Sequence, residues 1–209
     1  MFDRDFSLLA LGDSYTIGEG LSLTDSFPYQ TVQSLRRVGV SMNAPEIVAR
    51  TGWTSEELLQ NLERHTLQPF YDFVTLLSGV NDQYRGRSLA YYEKDFHQLV
   101  GKAISLAADQ PSQVIVLSIP DWGRSPFAEG KDKDEISVNI DHFNELNRSL
   151  SGQMGVNYLE ITSALRQIGT DASIYTADRL HYSSSIYKDW SDLISSIILR
   201  QLSLQYEGQ

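Results

Sequence analysis

Five short runs rich in apolar and β-branched residues alternate with longer amphipathic stretches along the chain. The runs that we assign to β-strands are residues 6–12, 45–50, 72–78, 113–119 and 156–161. Apolar runs of this length are typical of strands in a parallel sheet that is covered by helices on both faces. The fourth run stops at Pro120, because proline cannot donate to a central hydrogen-bond ladder.

The stretches between the runs have helical periodicity. Residues 25–38 carry apolar side chains at helical spacing and end at Gly39, a helix stop signal. The other predicted helices begin at Thr54 or Ser55 and span 88–108, 134–152 and 184–204. Segment 121–133 is rich in Gly, Pro and charge, so we predict a loop there. It is long enough to act as a lid, although loops of this size are also often only solvated.

This alternation of strands and helices predicts an α/β fold. Right-handed crossovers favour a flavodoxin-like, doubly wound, five-stranded parallel sheet with helices on both faces. The chain has 209 residues, of which 41% are hydrophobic and 21% charged. This size and composition suit one globular domain over residues 1–209, and we expect no second domain.

Charge and composition narrow the class of partner. The formal net charge of -10 argues against nucleic acid and anionic membrane surfaces, which recruit basic patches. We therefore expect a small-molecule substrate. The absence of cysteine excludes disulfides, thiolate metal sites and a cysteine nucleophile. His65, His97 and His142 are scattered without metal-ligand spacing, so no metal site is expected.

The sequence bears only indirectly on cellular location. No apolar segment approaches the length of a membrane span, and Asp3, Arg4 and Asp5 interrupt any signal-peptide pattern after Met1. The expectation is therefore a cytoplasmic protein, or a secreted or periplasmic one if a signal peptide has been removed. Nothing in the sequence indicates the oligomeric state.

Residues that could take part in a reaction lie just beyond the ends of the predicted strands. Ser14, Gly52 and Asn81 follow the first three strands, and Asp178 and His181 lie beyond the fifth. The carboxyl ends of parallel strands meet at one edge of a sheet, where ligands bind in such folds. Ester hydrolysis needs a nucleophile, a base, a group that orients the base, and donors for the oxygen that becomes negatively charged.

Each of these roles has a candidate. Ser14 suits the nucleophile and His181 the base, because the ordinary pKa of histidine, about 6.5, lies near working pH. Asp178, three residues before His181, is placed to orient its ring. The backbone N–H groups of Ser14 and Gly52 and the side-chain amide of Asn81 are the candidate oxyanion hole.

Every one of these residues also has a purely structural interpretation. Gly-Asp-Ser could be an ordinary turn in which Asp13 or Ser14 caps a helix, and we interpret Asp13 as a brace for that turn. Gly52 and Gly79 could be glycines only because the backbone there has a positive φ or packs closely against a neighbour. Asp82 is expected to form an Asx turn. Taken alone, Asp178 could be a surface acid and His181 a hydrogen-bonded loop residue.

Aromatic residues lie on or beside the loops that face the candidate site. They are interpreted as walls of an acyl or aryl pocket, or in part as core, and are Tyr15, Trp53, Tyr84, Trp122 and Phe127. Arg85 and Arg87 could meet an anionic part of a substrate or be ordinary exposed arginines.

The order of the motifs resembles that of the SGNH (GDSL-like) hydrolase family. The matching blocks are Gly12-Asp13-Ser14, Gly52, Gly79-Val80-Asn81-Asp82 and Asp178-Arg179-Leu180-His181. The resemblance runs from about Leu8 to His181. It implies a flavodoxin-like sheet and hydrolysis of esters or thioesters without a metal or organic cofactor. Two features depart from the commoner pattern: Tyr182 stands where proline is frequent, and Tyr15-Thr16 follow the serine.

The sequence thus predicts a serine hydrolase that cleaves small-molecule esters or thioesters through an acyl-enzyme. An α/β-hydrolase is disfavoured because Ser14 does not lie in Gly-x-Ser-x-Gly. The alternatives are a flavodoxin-like module that binds a flavin phosphate at residues 14–18, and an interaction domain without turnover. The ester itself stays open among acetylated sugars, acyl-thioesters, lysolipids and aryl esters.

Overall fold

A computed structural model describes residues 4–169 and 171–207, and within them five strands form one parallel sheet. The strands are β1 Leu8–Gly12, β2 Glu46–Ala49, β3 Phe73–Leu77, β4 Val114–Leu117 and β5 Asn157–Leu159. Their order in the sheet is β2-β1-β3-β4-β5. This is the flavodoxin-like order, so the predicted fold class is confirmed.

Helices connect and flank the strands. They are α1 Ser14–Ile17, α2 Phe27–Arg37, α3 Ser55–Leu62, α4 Val80–Tyr84, α5 Leu89–Leu106, α6 Lys133–Met154, α7 Thr162–Ile168 and α8 Ser184–Glu207. The five longest, α2, α3, α5, α6 and α8, match the predicted helices, with ends that differ by one to three residues at most positions. The shorter α4 and α7 were not predicted, and α1 appeared in the sequence analysis only as the helix that Asp13 or Ser14 could cap.

The handedness of the crossovers assigns the helices to two faces. The connection from β1 to β2 crosses the sheet in one direction, whereas the connections from β2 to β3, from β3 to β4 and from β4 to β5 cross it in the opposite direction. With right-handed crossovers, α2 therefore lies on one face and α3, α5 and α6 on the opposite face. The contacts agree, because α2 packs against α8, while α5 packs against both α3 and α6.

The centre of the sheet is the core of the molecule. Every residue of β1, β3 and β4 is buried, which explains why these strands are almost entirely apolar, with Thr75 of β3 as the polar exception. In the register of the sheet, Gly12 of β1 pairs with Ala49 of β2 and Leu77 of β3. These strands therefore end at the same level, and the loops that follow them begin side by side.

The start of α3 has the capping that its sequence predicts. Thr54 is the N-cap: its hydroxyl accepts the N–H of Glu57, and the carboxylate of Glu57 accepts the N–H of Thr54 at 2.8 Å. Ser55, the other candidate cap, instead bonds to the side chains of Ser78 and Asp82. The residue after the cap therefore ties α3 to the end of β3.

Gly79, at the exit of β3, occupies a position that no other residue fits. Its φ is +128°, and a Cβ there would lie 2.5 Å from the hydroxyl oxygen of Tyr92. Tyr92 is fully buried and donates to Asn147 at 2.6 Å, so its ring has little room to move. We expect Gly79→Ala to lower the free energy of unfolding by about 2–4 kcal/mol, measured by urea denaturation.

Gly39→Ala is the matched control for this prediction. Gly39 also has a positive φ, +86°, but a Cβ there meets nothing within 4 Å. The control therefore carries only the backbone cost, about 1 kcal/mol. Equal losses in the two variants would show that contact with Tyr92 adds nothing.

Candidate active site

Ser14 lies at the junction of β1 and α1, at the carboxyl edge of the sheet. Asp13 follows the last residue of the strand and caps the helix, because its Oδ1 accepts the N–H of Tyr15 at 3.0 Å. The turn places the side chain of Ser14 in a cavity, where the residue is only 5% exposed. The expectation that Asp13 caps a helix and braces this turn agrees with these contacts.

The structure brings Ser14, His181 and Asp178 into one hydrogen-bonded series. The Nε2 atom of His181 lies 2.8 Å from the Oγ of Ser14, across 167 residues of sequence. On the other side of the ring, Nδ1 lies 2.6 Å from the Oδ2 of Asp178. The ring of His181 therefore bridges a hydroxyl and a carboxylate.

A tight turn builds the Asp178–His181 half of this series. The Oδ1 of Asp178 accepts the N–H groups of Leu180 at 2.8 Å and His181 at 3.0 Å. Arg179, which lies between Asp178 and Leu180, adopts a left-handed conformation with φ +65°, and this closes the turn. One oxygen of Asp178 thus holds the turn while the other holds the histidine ring.

Partial burial works to raise the pKa of Asp178, but its hydrogen bonds outweigh this. Donors from the His181 ring, the N–H groups of His181 and Leu180 and the hydroxyl of Thr176 lower the pKa to about 2. The group is therefore a carboxylate at any pH near neutrality, and it is the form that accepts a hydrogen bond from Nδ1–H.

Packed aromatic rings support the imidazole. The Tyr15 ring lies 4.8 Å from that of His181, centroid to centroid, and 5.9 Å from that of Tyr182. Tyr182 is buried and stacks on Tyr175 at 5.3 Å. The tyrosine that replaces the family's frequent proline is therefore a core residue that leaves the His181 contacts intact.

The candidate oxyanion donors border the same cavity. Gly52, with φ +81°, and Asn81 both line it together with Ser14. The amide nitrogen of Asn81 donates to the carbonyl of Trp53 at 3.0 Å and to the Oδ2 of Asp13 at 3.2 Å. The amide is thus oriented by two acceptors, one of which belongs to the residue before Ser14.

Asp13 is fully buried beside these groups. Burial, with a smaller contribution from the charge of the neighbouring Asp82, raises its pKa to about 7 against the opposing hydrogen bonds from Tyr15 and Asn81. The sequence interpretation included the brace to the turn but missed the contact with Asn81. That contact joins residues 68 positions apart, and no local pattern signals it.

The cavity at Ser14 has a volume of about 180 Å³ and mostly apolar walls. Four of the five aromatic residues predicted for the pocket line it, namely Tyr15, Tyr84, Trp122 and Phe127. The Trp122 ring lies 5.1 Å from that of Tyr84 and 6.2 Å from that of Phe127, and its indole N–H donates to Gln83. These three rings form one wall, which we call the aromatic wall.

Trp53, the fifth of these aromatic residues, fits the alternative interpretation as a core residue. It is partly buried against the hydrophobic core and is not among the lining residues. Its contribution to the site is the backbone carbonyl that accepts from Asn81. Three lining residues were missed, and each is adjacent to a predicted residue in sequence: Thr51, Val80 and Leu180.

The loop that carries Trp122 and Phe127 is anchored at several points. It contains two 3-10 turns, Trp122–Arg124 and Pro126–Ala128. The buried Asp121 accepts from Ser137 of α6 and Arg166 of α7, at 2.6 and 2.7 Å. The N–H of Phe127 donates to the carbonyl of Arg179 at 3.0 Å. The aromatic wall is therefore tied to the turn that carries Asp178 and His181.

The two arginines after Asn81 have partners within the chain. Arg85 donates to the carbonyl of Gly52 and pairs with Glu57, whereas Arg87 pairs with Asp95 and with two other acids, Glu56 and Asp82. Both arginines thus bond to residues of this chain, and the bond from Arg85 to the carbonyl of Gly52 holds the loop that contains Gly52.

Asp82 does not form the expected Asx turn. It is buried in α4, where its Oδ2 accepts the N–H and the hydroxyl of Ser55 at 2.8 and 3.0 Å. Burial raises the pKa of Asp82, and the bonds from Ser55 and the charge of Arg87 oppose this. It stabilises the loop by joining α4 to the start of α3.

Two features are absent from the part of the chain that the structure describes. No helix within residues 4–169 and 171–207 is both long and apolar enough to cross a membrane. Over the same residues, no three His, Asp or Glu side chains are grouped so that they could hold a metal ion.

Comparison with known proteins bears on the fold and on the family. No curated protein matches the chain. Its fold is similar to that of a lipase/acylhydrolase from Enterococcus faecalis, at 18% identity and a TM-score of 0.72 over 96% of each chain. It is also similar to the esterase EstA from Pseudoalteromonas sp., at 17% identity and a TM-score of 0.72, covering 95% of this chain and 100% of that one. For the acetylxylan esterase Axe2 from Geobacillus stearothermophilus the identity is 18% and the TM-score 0.69, over 93% of each chain.

The likeness to these structures shows the fold, and a match to a family model shows the family as well. The model of the GDSL-like lipase/acylhydrolase family matches residues 10–188, which include the motif residues on both sides of the cavity. The chain therefore belongs to the GDSL-like lipase/acylhydrolase family and is an esterase of the SGNH type.

Proposed function

We propose that the chain hydrolyses carboxylic esters or thioesters through a Ser14-His181-Asp178 triad and an acyl-enzyme intermediate. The observation that carries the proposal is the ring of His181, which lies 2.8 Å from the Ser14 hydroxyl and 2.6 Å from the Asp178 carboxylate. Family membership supports ester hydrolysis in general. The assignment of each residue to a step rests on the geometry below.

In the first half of the reaction, Ser14 attacks the acyl carbon. Its Oγ gives its proton to Nε2 of His181, while Nδ1–H of the same ring donates to Asp178, which stabilises the positive imidazolium. The carbonyl oxygen becomes negatively charged and is met by the backbone N–H groups of Ser14 and Gly52 and the amide of Asn81. His181 then protonates the leaving alcohol or thiol.

In the second half, water cleaves the acyl-enzyme. His181 takes a proton from the water, which attacks the acyl carbon, and returns a proton to the Ser14 oxygen as the acid leaves. The serine is thereby regenerated. Asp178 stays ionised throughout, in keeping with its pKa of about 2.

Asp13 is the other acid close to the nucleophile, but its contacts do not suit the triad. Its oxygens accept from Tyr15 and Asn81, whereas the Nδ1 of His181 is bonded to Asp178. A triad acid must orient the base. Asp178 is therefore the residue to which we give this role.

The lining of the cavity favours a small apolar acyl group. The aromatic wall and Val80 provide a mostly apolar surface around a space of about 180 Å³. A net charge of -10 further favours an uncharged ester over an anionic one. We propose that the acyl group of the substrate packs against the aromatic wall.

The flavin-phosphate alternative lacks support from any specific contact. The hydroxyl that would meet the phosphate is bonded to His181, and the preceding residue is a buried acid, Asp13. Hydrolysis of p-nitrophenyl acetate, with thioesters in a parallel panel, tests the proposed function. A yellow preparation that turns over no ester would favour the binding module instead.

Removing part of the aromatic wall should change the preferred acyl length. Trp122 is 5% exposed and contacts both Tyr84 and Phe127, so Trp122→Ala opens space beside Ser14. We expect the ratio of kcat/KM for a hexanoate ester to that for an acetate ester to rise about tenfold or more.

Tyr91→Ala is the control for this change in acyl preference. Tyr91 is 68% exposed and lies outside the lining of the cavity at Ser14. Its replacement should leave the hexanoate-to-acetate ratio within about twofold of wild type. An unchanged ratio in Trp122→Ala would place the acyl group away from the aromatic wall.

A further inference from the structure

Asp13 is a buried carboxylate that the proposed reaction steps leave unused. Its side chain is completely buried, and its two oxygens accept from different groups. Oδ1 accepts the N–H of Tyr15 at 3.0 Å, and Oδ2 accepts from the amide of Asn81 at 3.2 Å. Capping α1 requires only the first of these bonds.

The second bond bears on the orientation of Asn81. A side-chain amide can turn either its oxygen or its nitrogen to a given neighbour. The Oδ2 of Asp13 and the carbonyl of Trp53 are both acceptors, and both contact the amide nitrogen. These two acceptors fix the orientation of the amide, so that its nitrogen, and not its oxygen, faces Asp13. Asp13 directly precedes Ser14 in the chain.

The lengths of these bonds leave the amide able to serve an additional acceptor. N–H···O hydrogen bonds are most often about 2.9–3.0 Å long, whereas that from Asn81 to Asp13 is 3.2 Å, at the long end of their range. An N–H that is held loosely by one acceptor can be shared with a second in a three-centre bond. An oxygen entering the cavity that Asn81 and Ser14 both line is such a second acceptor.

We infer that Asp13 is a positioning residue for ester hydrolysis, whose buried carboxylate holds the amide nitrogen of Asn81 toward the developing oxyanion. The inference rests on the proposed function, because it assigns Asp13 a part in the same reaction. Asp13 contacts Asn81 and is not among the residues that line the cavity at Ser14. Its effect is therefore exerted on kcat through Asn81.

Two replacements of Asp13 separate positioning from capping. Asp13→Ser keeps a good N-cap for α1 but has no second oxygen to reach Asn81. Asp13→Asn has one acceptor oxygen in place of two, so it cannot serve both Tyr15 and Asn81 in the same way. If Asp13 only capped the helix, Asp13→Ser would keep the kcat of wild type.

The test is a double-mutant cycle with Asn81→Ala, in which kcat and KM are measured at a pH well above the Asp13 pKa of about 7. Asn81→Ala alone is expected to lower kcat by about 10²–10³-fold. Each Asp13 variant should lower kcat by about tenfold or more while KM changes less than about threefold. In the Asn81→Ala background, the same Asp13 variants should change kcat by less than about threefold.

Asp72→Asn is the matched control. Asp72 also accepts a backbone N–H, that of Ser7 at 2.8 Å, but it lies at the amino end of the sheet. The Asp72→Asn replacement is expected to change the free energy of unfolding without changing kcat.

Equal losses of kcat from the Asp13 variants in both backgrounds would overturn the inference, as would a wild-type kcat for Asp13→Ser. Retained hydrolysis in Ser14→Ala would instead overturn the proposed function. The two failures are therefore distinguishable.

Discussion

Replacement of Ser14 by alanine is expected to lower kcat for p-nitrophenyl acetate by about 10⁶-fold, with residual turnover from the other groups of the site. The change removes one oxygen, the atom that lies 2.8 Å from Nε2 of His181. Without it no acyl-enzyme forms, because His181 has no hydroxyl to deprotonate. Steady-state release of p-nitrophenol, corrected for spontaneous hydrolysis, measures the loss.

Ser183→Ala is the control for this variant. Ser183 lies two residues beyond His181, and its hydroxyl bonds to that of Ser185 instead of to the imidazole. We expect its activity to stay within about threefold of wild type. Comparable hydrolysis by Ser14→Ala and wild type would move the nucleophile to another residue.

Asp178→Asn is expected to lower kcat by about 10⁴-fold while leaving the fold intact. An amide at this position can turn its N–H₂ group toward Nδ1 of His181, which then acts as an acceptor. In that tautomer the proton lies on Nε2, the atom that must accept from Ser14. The charge that stabilises the imidazolium is lost as well.

The pKa of Asp178 determines how this loss should depend on pH. Burial raises that pKa, but hydrogen bonds from His181 and its neighbours lower it to about 2. The carboxylate is therefore charged throughout the range in which ester hydrolysis is assayed. Asp178→Asn should accordingly lower kcat/KM at every pH in a measured profile.

Glu129→Gln provides the comparison for Asp178→Asn. Glu129 pairs with Arg179, which lies inside the same turn, but it is exposed and does not contact the ring of His181. Its loss should change kcat by less than about twofold. If Asp178→Asn kept more than about a tenth of wild-type activity, another group would be orienting His181.

The sheet was predictable because its central strands are buried on both faces. The runs that became β1, β3 and β4 are apolar at nearly every position, with Thr75 of β3 as the buried polar exception, so they stand out from the amphipathic stretches between them. Their spatial order followed from the handedness of crossovers rather than from any single residue. The strand ends differ by at most two residues from those expected.

The short helices were either not predicted or, for α1, considered only as a helix that Asp13 or Ser14 could cap. The helices α1, α4 and α7 contain four, five and seven residues, too few for a helical repeat to be visible in the sequence. Two of the three carry site residues, because Ser14 begins α1 and Asn81 lies in α4. Their positions were predicted from the strand ends that precede them.

The limits of sequence reasoning at the site concern side-chain direction. The motif order indicated which residues to bring together, but not that Trp53 points into the core while Thr51 lines the cavity. Contacts such as Asp13 with Asn81 and Ser55 with Asp82 join distant parts of the chain. Only the packed structure sets them.

The nucleophilic role of Ser14 is tested most directly by covalent labelling with a fluorophosphonate probe, followed by peptide mapping. The account predicts one adduct per chain on the peptide that contains Ser14 and none in Ser14→Ala or in heat-denatured protein. An adduct on another residue, or equal labelling of wild type and Ser14→Ala, would contradict it.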